Sequence, residues 1–328
     1  MADERRLAVG VIGVGAMGRH HARVYEELEG AALEGVFDVD AERANAVAAR
    51  HGTAAVGLEA LLDRVDAVSV AVPTAHHLEV VGACLEAGVP TLVEKPVVGD
   101  LADGRALRRA AETAGIPVQV GHVERFNPAV EALEGVLEGL SIVDVTARRL
   151  GPPPGRPIAD GAVVDLMIHD IDVVLALLED DPVDVTGHGV AGDRHASALL
   201  EFPDAVASLT ASRLTQRKVR SLEVTAEECL VAVDYLEQSV EIHRRSVPEY
   251  VERDEGVRFR HESLIERVSV PDDEPLRREL ASFLETVRTD STPEVTVEDG
   301  LAALEVARRI EGAGRNDRPT ADLEASRE

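Results

Sequence analysis

The sequence predicts an α/β protein in which a doubly wound parallel sheet is followed by a second, α+β domain with a large, mostly antiparallel sheet. From residue 7 to about residue 121, short Val, Ala and Ile runs alternate with longer helical patterns, as in strand-helix-strand units. A glycine-rich turn directly follows the first of these runs. After residue 122 the pattern changes to alternating apolar and polar stretches, which is typical of antiparallel strands.

In the first domain, the elements follow from apolar runs and from the residues that punctuate them. We predict strands at 7–12, 33–37, 67–72, 89–93 and 118–120, and helices at 16–29, 41–51, 76–87 and 101–114. Asp40 and Asp100 stand where helix N-caps are needed. Gly52, Gly88 and Gly115 each follow a helical pattern, where a left-handed residue ends a helix.

The second half has a different order of elements. We predict a helix at 128–139, a strand at 142–150, a second helix around 164–178, antiparallel strands at 196–202, 206–211, 222–226 and 230–235, and closing helices at 275–289 and 297–310. The predicted division is residues 1–122, residues 123–314, and a polar tail at 315–328 that we expect to be disordered.

The composition excludes several partners. The chain has 61 acidic and 34 basic residues and a net charge of −27, which argues against binding nucleic acid or an anionic membrane. This balance, with its very few lysines, indicates adaptation to a high-salt cytoplasm. No segment approaches the roughly 18 apolar residues of a membrane span, and no signal region precedes the first strand. Two cysteines without metal-type spacing suit a reduced compartment, so we expect a cytoplasmic protein.

The turn Gly13-Val14-Gly15-Ala16-Met17-Gly18 has the spacing of a dinucleotide-binding loop of the Rossmann type. Its three glycines allow a tight turn, close approach of a pyrophosphate, and packing of the next helix on the strand. The helix N-terminus then offers amide donors to the phosphates. Asp38 ends the next strand, twenty residues after Gly18, where a carboxylate accepts hydrogen bonds from ribose and repels a 2′-phosphate. We therefore predict NAD rather than NADP, with residues 13, 15–18 and Asp38 in the cofactor site.

Further candidate residues follow the ends of two later strands, Pro73-Thr74 and Glu94-Lys95. Ligands of such sheets bind beyond the carboxyl ends of the strands, so we assign these four residues, together with His77, to the cofactor site. Lys95 is one of only two lysines, against 32 arginines. Since an ammonium, unlike a guanidinium, can be desolvated and can exchange a proton, Lys95 is also the first candidate for catalysis.

A second polar group lies on an otherwise apolar helix. Asp165, His169 and Asp172 recur at i, i+4 and i+7, and burying such groups is costly unless they are paired or used. We predict catalytic roles for Asp165 and His169 and a substrate contact for Asp172. A solvent-facing stripe is an alternative. A metal site is another, but two or three ligands without nearby His or Cys make an incomplete set, so we predict no metal.

Arg125 and Asn127 lie just past the last strand of the first domain, where the substrate crevice is expected, and are further candidate substrate contacts. An acidic protein that binds a diphosphate sugar needs a local basic patch. The arginines that can supply it are Arg125, Arg148, Arg149, Arg213 and Arg217.

Taken together, Gly13-x-Gly15-x-x-Gly18, Glu94-Lys95-Pro96 and Asp165-x-x-x-His169 resemble the glucose-fructose oxidoreductase, inositol dehydrogenase and MocA family of NAD(P)-dependent dehydrogenases. The resemblance extends to about residue 313. It implies that Lys95, Asp165 and His169 are the catalytic group and that the substrate is a sugar. Residues 121–129 and 233–238 resemble the branch that acts on nucleotide sugars, UDP-N-acetylglucosamine 3-dehydrogenases in particular.

The expected reaction is oxidation of a secondary alcohol on a sugar ring, with hydride passing to the nicotinamide. We expect His169 to take the hydroxyl proton and Lys95 to stabilise the developing alkoxide, with Asp165 as the orienting group; the converse, Lys95 as base, stays open. An inositol or free-sugar dehydrogenase is one alternative, and a non-catalytic NAD-binding sensor is another. The antiparallel sheet would suit pairing of subunits, so we expect a homodimer or homotetramer.

Overall fold

The computed structural model describes residues 5–153, 155, 160–245, 249–253, 256–260 and 263–316. The chain divides into two compact units, Met1–Asn127 with Asp272–Glu305, and Pro128–Pro271 with Val306–Glu328. Of the predicted tail at 315–328, only residues 315 and 316 lie within the described ranges. No helix in the described ranges combines the length and the apolar character needed to cross a lipid bilayer.

The elements are numbered along the chain. The helices are α1 (Gly18–Glu27), α2 (Ala41–Arg50), α3 (Leu58–Leu62), α4 (His77–Glu86), α5 (Leu101–Ala114), α6 (Pro128–Leu137), α7 (Ile168–Leu178), α8 (Pro275–Thr289) and α9 (Val297–Asn316). The strands are β1 (Leu7–Ile12), β2 (Ala31–Phe37), β3 (Ala67–Val70), β4 (Thr91–Glu94), β5 (Val118–Gly121), β6 (Ile142–Leu150), β7 (Asp184–Val190), β8 (His195–Glu201), β9 (Val206–Ser212), β10 (Val219–Ala226), β11 (Cys229–Asp234), β12 (Ser239–Arg245), β13 (Glu249–Arg253), β14 (Gly256–Arg260) and β15 (Ser263–Val268).

The first unit contains a five-stranded sheet in the order β2-β1-β3-β4-β5, and every neighbouring pair is parallel. This confirms the predicted doubly wound sheet. The helix ends also follow the sequence signals. Asp40 caps α2 by accepting from Arg43 N, Asp100 caps α5 by accepting from Ala102 N, and Gly115 ends α5 in the left-handed region at φ 64°.

The C-terminal helices contribute to the core of the first unit, which differs from the linear division predicted at residue 122. Leu280 and Phe283 of α8 belong to the same buried cluster as Val9 and Val11 of β1. Leu304 of α9 belongs to the cluster on the opposite side of the sheet. The physical reason is that a parallel sheet must be covered on both faces, and one cover here comes from residues 272–305.

The second unit contains an eight-stranded sheet in the order β15-β12-β11-β10-β6-β9-β8-β7. Its pairs are antiparallel except for β6 and β9, which run parallel. β13 and β14 form a separate antiparallel pair. The predicted large, mostly antiparallel sheet is therefore confirmed.

Candidate active site

The carboxyl ends of β1 and β3 meet at the point where the strand order reverses. The chain leaves β1 for β2 on one side and continues through β3 on the other, which is where open α/β sheets bind ligands. Gly13 lies at this point with φ +84°, and a Cβ there would come within 2.8 Å of the backbone nitrogen of Val72. The glycine turn therefore packs directly on the segment that leads to Pro73 and Thr74.

The other two glycines of the turn have separate tasks. A Cβ on Gly18 would overlap the carbonyl oxygen of Gly13, so this position must be glycine for α1 to start so close to the turn. At Gly15, by contrast, no described atom lies within 4 Å of the position of a Cβ. The space beside Gly15 is therefore empty of described protein atoms, and Ala16 and Met17 after it are exposed. The turn thus leaves space where a pyrophosphate would approach.

The N-terminus of α1 suits an anion. Among the described residues, no side chain caps this helix through its N-cap residue Met17, and its first turn carries no acidic residue. The helices α2 and α5 differ, because Asp40 and Asp100 cap them and each has an acid in its first turn. Of these three helices only α1 has neither a side-chain cap nor an acidic residue in its first turn, so its positive dipole end suits a phosphate and the residues present fit a dinucleotide.

Asp38 is fixed beside this turn. Its side chain is only 5% exposed, and its Oδ2 accepts a hydrogen bond of 2.9 Å from Val14 N. Its Oδ1 accepts a 2.9 Å bond from Asp40 N, and the guanidinium of Arg43 lies 3.2 Å from both oxygens. Backbone of the glycine turn thus holds the carboxylate, which fits the predicted contact to an adenosine ribose.

Lys95 follows the end of β4 and is half-buried. The loop that carries it is attached to the end of β3 through His77, whose Nδ1 lies 3.0 Å from the carbonyl oxygen of Pro96 and whose Nε2 lies 3.0 Å from that of Val72. Burial lowers the pKa of His77, although the backbone hydrogen bonds act in the opposite direction. The His77 ring is 1% exposed. Its ring nitrogens face main-chain carbonyls, so it joins the two loops, and its predicted cofactor contact stays a prediction.

The side chain of Glu94 is also turned inward. Its Oε1 lies 2.9 Å from Nε2 of His21 on α1, and its Oε2 accepts a 3.3 Å hydrogen bond from Lys95 N. Glu94 is predicted from the sequence to contact the cofactor. The geometry directs the carboxylate of Glu94 towards α1, and the cofactor contact stays a prediction.

A buried histidine lies near Lys95. His122 follows β5 and is 0% exposed. Burial, and after it the positive charges of Lys95 and Arg125, lowers the pKa of His122 to about 3. Arg125 lies 3.9 Å from Glu294, and Asn127 donates a 3.2 Å hydrogen bond to Glu124. The structure therefore brings Lys95 and the predicted substrate residue Arg125 into one electrostatic neighbourhood.

In the second unit, Asp165 lies on a π-helical turn, Val163–Met167, and not on a regular α-helix as the sequence predicts. Such turns recur at functional sites because they change the direction of a side chain. Arg213 donates from Nη2 to Asp165 Oδ2 and from Nη1 to Asp160 O at 2.8 Å. Arg213 is 7% exposed. Asp165 is thus held by a buried guanidinium.

The neighbouring residues on α7 are not a solvent-facing stripe. Asp172 and Asp170 are each 2% exposed, and His169 is half-buried. Asp170 forms a two-point ion pair with Arg149 of β6, at 2.9 Å from Nε and 2.7 Å from Nη2. The Arg149 guanidinium also lies 5.4 Å from the ring centroid of Tyr235. Sequence reasoning missed this ion pair.

Two arginines that we consider for a diphosphate patch are therefore already engaged. Arg149 and Arg213 are buried against Asp170 and Asp165. Arg148 and Arg217 are exposed. A basic patch for a diphosphate in the second unit would therefore depend first on Arg148 and Arg217.

Comparison with known proteins agrees with this architecture. Residues 7–122 match the family profile described as an oxidoreductase family with an NAD-binding Rossmann fold, and residues 142–231 match the GFO/IDH/MocA C-terminal domain. A UDP-N-acetylglucosamine 3-dehydrogenase from Acidithiobacillus ferrooxidans is 36% identical over 245 residues, which are 73% of this chain and 77% of the relative. An inositol 2-dehydrogenase from Saccharopolyspora erythraea is 34% identical over 225 residues, 64% of this chain and 65% of that protein.

A solved structure of UDP-N-acetylglucosamine 3-dehydrogenase from Acidithiobacillus ferrooxidans has a TM-score of 0.86 and 32% identity, and the match covers 95% of this chain and 99% of that chain. These similarities confirm the predicted enzyme class and the predicted cofactor, NAD. The chain belongs to the GFO/IDH/MocA family of NAD-binding oxidoreductases.

Proposed function

We propose that this protein is an NAD-dependent dehydrogenase that oxidises a secondary alcohol on the ring of a nucleotide sugar, with the 3-hydroxyl of UDP-N-acetylglucosamine as the best candidate. The observation that carries the proposal is Lys95, one of only two lysines, which directly follows β4 at the carboxyl edge of the parallel sheet. The choice of sugar is supported by the similarity to the dehydrogenase from Acidithiobacillus ferrooxidans.

Bound NAD supplies the hydride acceptor. The amides of the glycine turn and the N-terminus of α1 would hold its pyrophosphate, and Asp38 would accept hydrogen bonds from its adenosine ribose. Lys95 donates a hydrogen bond to the reacting oxygen and stabilises the negative charge that develops there. His169 accepts the hydroxyl proton, since imidazole titrates near neutral pH.

Asp165 orients the reacting groups, and Arg213 fixes the carboxylate of Asp165 in turn. The π-helical turn supports this assignment, because it separates the direction of Asp165 from that of the regular helix α7. The proton acceptor is His169 rather than Asp165 in this scheme, since the buried Arg213 already engages the carboxylate of Asp165. Lys95 as the base is the alternative assignment.

A second candidate is an inositol or free-sugar dehydrogenase. Arg149 and Arg213 are already paired with aspartates, which reduces the positive charge left for a diphosphate. Inositol dehydrogenases are also among the relatives at 32–34% identity. A free polyol needs hydrogen-bonding groups and no basic patch, so this observation favours the second candidate.

The test is NADH formation with UDP-N-acetylglucosamine, UDP-glucose, N-acetylglucosamine and myo-inositol, at low and at high salt. Turnover with the UDP-sugars alone would support the proposal, and turnover with myo-inositol alone would replace it with the second candidate. Lys95→Met and His169→Ala should each lower kcat by on the order of 100-fold or more. Lys218→Met is the matched control, because Lys218 is the only other lysine and is exposed.

We also infer that the large sheet of the second unit pairs subunits into a homodimer or homotetramer. Leu199 of β8 and Val206 of β9 lie on the same face of this sheet, and they are 37% and 38% exposed. Apolar side chains that lie together on an exposed sheet face favour association. Light scattering at several salt concentrations tests this, and a monomer throughout would contradict it.

A further inference from the structure

His21 lies on the first turn of α1, the helix whose N-terminus faces the proposed pyrophosphate position. Its side chain is fully buried, and its Nε2 lies 2.9 Å from Oε1 of Glu94. This contact joins His21 to the residue that immediately precedes Lys95.

Glu94 has little freedom to leave this arrangement. It is the last residue of β4 and is 9% exposed. Its second carboxylate oxygen accepts from Lys95 N. On its other side lies Gly121 of β5, where a Cβ would come within 3.2 Å of Glu94 Cα and 3.5 Å of Glu94 Cδ. The carboxylate is therefore enclosed between α1, the Lys95 loop and β5.

The hydrogen bond between the two side chains has a defined direction. Nδ1 of His21 is buried and has no hydrogen-bond partner among the described residues, and a carboxylate only accepts, so Nε2 of His21 donates to Glu94. Burial raises the pKa of Glu94, but the hydrogen bond and charge interaction with His21, and after them the ammonium of Lys95, outweigh burial and hold the pKa below its ordinary value. Glu94 is thus an ionised carboxylate that His21 holds next to Lys95.

We propose that His21 is a positioning residue that acts through Glu94, fixing Lys95 relative to the helix that receives the pyrophosphate of NAD. The proposal rests on the proposed role of Lys95. It assigns no contact with substrate or cofactor to His21 itself. The reason is geometric: one buried hydrogen bond links the first turn of α1 with the last residue of β4, so the cofactor and the ammonium share one rigid support.

The kinetic test compares His21→Leu, which removes the donor, with His21→Gln, which keeps a nitrogen donor of similar reach. His20→Leu is the matched control, since His20 is the preceding residue and is exposed. We expect His21→Leu to lower kcat by about 10–100-fold with the KM for NAD changed less than about threefold, and His21→Gln to recover most of the loss. A rise in the KM for NAD at unchanged kcat would overturn the proposal.

A second readout needs no turnover. The chain has only two lysines, so reductive ¹³C-methylation gives two side-chain NMR signals, which Lys95→Arg and Lys218→Arg assign. We expect His21→Leu to move the Lys95 signal, His21→Gln to restore it, and the Lys218 signal to stay in place throughout. An unmoved Lys95 signal in a folded His21→Leu protein would overturn the inference. If the wild-type protein oxidises no sugar, the proposed function fails while this spectrum still decides the role of His21.

Discussion

Replacing Arg149 with methionine should destabilise the second unit strongly, because it leaves the carboxylate of Asp170 buried without its guanidinium. Both side chains are nearly inaccessible, at 4% and 3%, and two hydrogen bonds of 2.7 and 2.9 Å join them. Removing one member of a buried pair typically costs about 3–5 kcal/mol of the free energy of unfolding. A protein with a total stability of roughly 5–15 kcal/mol would lose a large share of it.

The matched variant replaces both partners, Arg149→Met with Asp170→Leu. Because no charge then stays buried, this double variant should lie within about 1 kcal/mol of the wild type. The assay is equilibrium unfolding in urea at constant high salt, followed by far-UV circular dichroism, for the wild type, both single variants and the double variant. The reasoning is refuted if Arg149→Met costs less than about 1 kcal/mol, or if the double variant loses the sum of the single losses.

Three further outcomes are expected. Gly15→Ala should leave the free energy of unfolding unchanged but raise the KM for NAD about tenfold, whereas Gly18→Ala should unfold the turn. The two variants are compared by urea unfolding and by NAD titration, and if both variants had the same effects in these assays, the prediction would be contradicted. Burial and nearby cations lower the pKa of His122 to about 3. Below pH 6.5 the unfolded chain therefore binds a proton that the folded chain does not, so the free energy of unfolding decreases as the pH is lowered. Between pH 6.5 and 5 this costs about 2 kcal/mol, so the loss of stability over this range should be smaller by about that amount in His122→Asn, while His77 keeps its own share, when urea unfolding is compared at both pH values. Arg213→Met should lower kcat about 10–100-fold by releasing Asp165, and Arg213→Lys should recover part of the loss. An unchanged kcat in Arg213→Met would show that the Arg213–Asp165 ion pair has no role in catalysis.

The elements of the first unit were predictable because their signals are local. The apolar run of β1 coincides with the observed strand Leu7–Ile12, and Asp100 and Gly115 mark the two ends of α5 as predicted. Each of these signals involves residues within a few positions of one another, so one turn or one strand decides the outcome. The glycine turn belongs to the same class.

The contacts that shape the candidate site were not predictable in this way. His21 and Glu94 are 73 positions apart, and Arg213 and Asp165 are 48 positions apart. Their pairing depends on the order of strands in each sheet, which no local pattern specifies. The π-helical turn at Asp165 was missed for a related reason, because a regular i, i+4 spacing of polar residues describes an ordinary helix equally well.

The first unit is built from two separated pieces of chain, and this has a consequence for biosynthesis. A ribosome releases residues 1–127 long before residues 272–305, so the strand bearing Val9 and Val11 emerges well before Leu280 and Phe283 can cover it. In the interval, one face of the nascent sheet has to be shielded by other means, such as a chaperone, or its exposure has to be kept short by rapid synthesis and folding of the second unit. The cofactor domain, although first in the sequence, is therefore among the last parts of the protein to be finished.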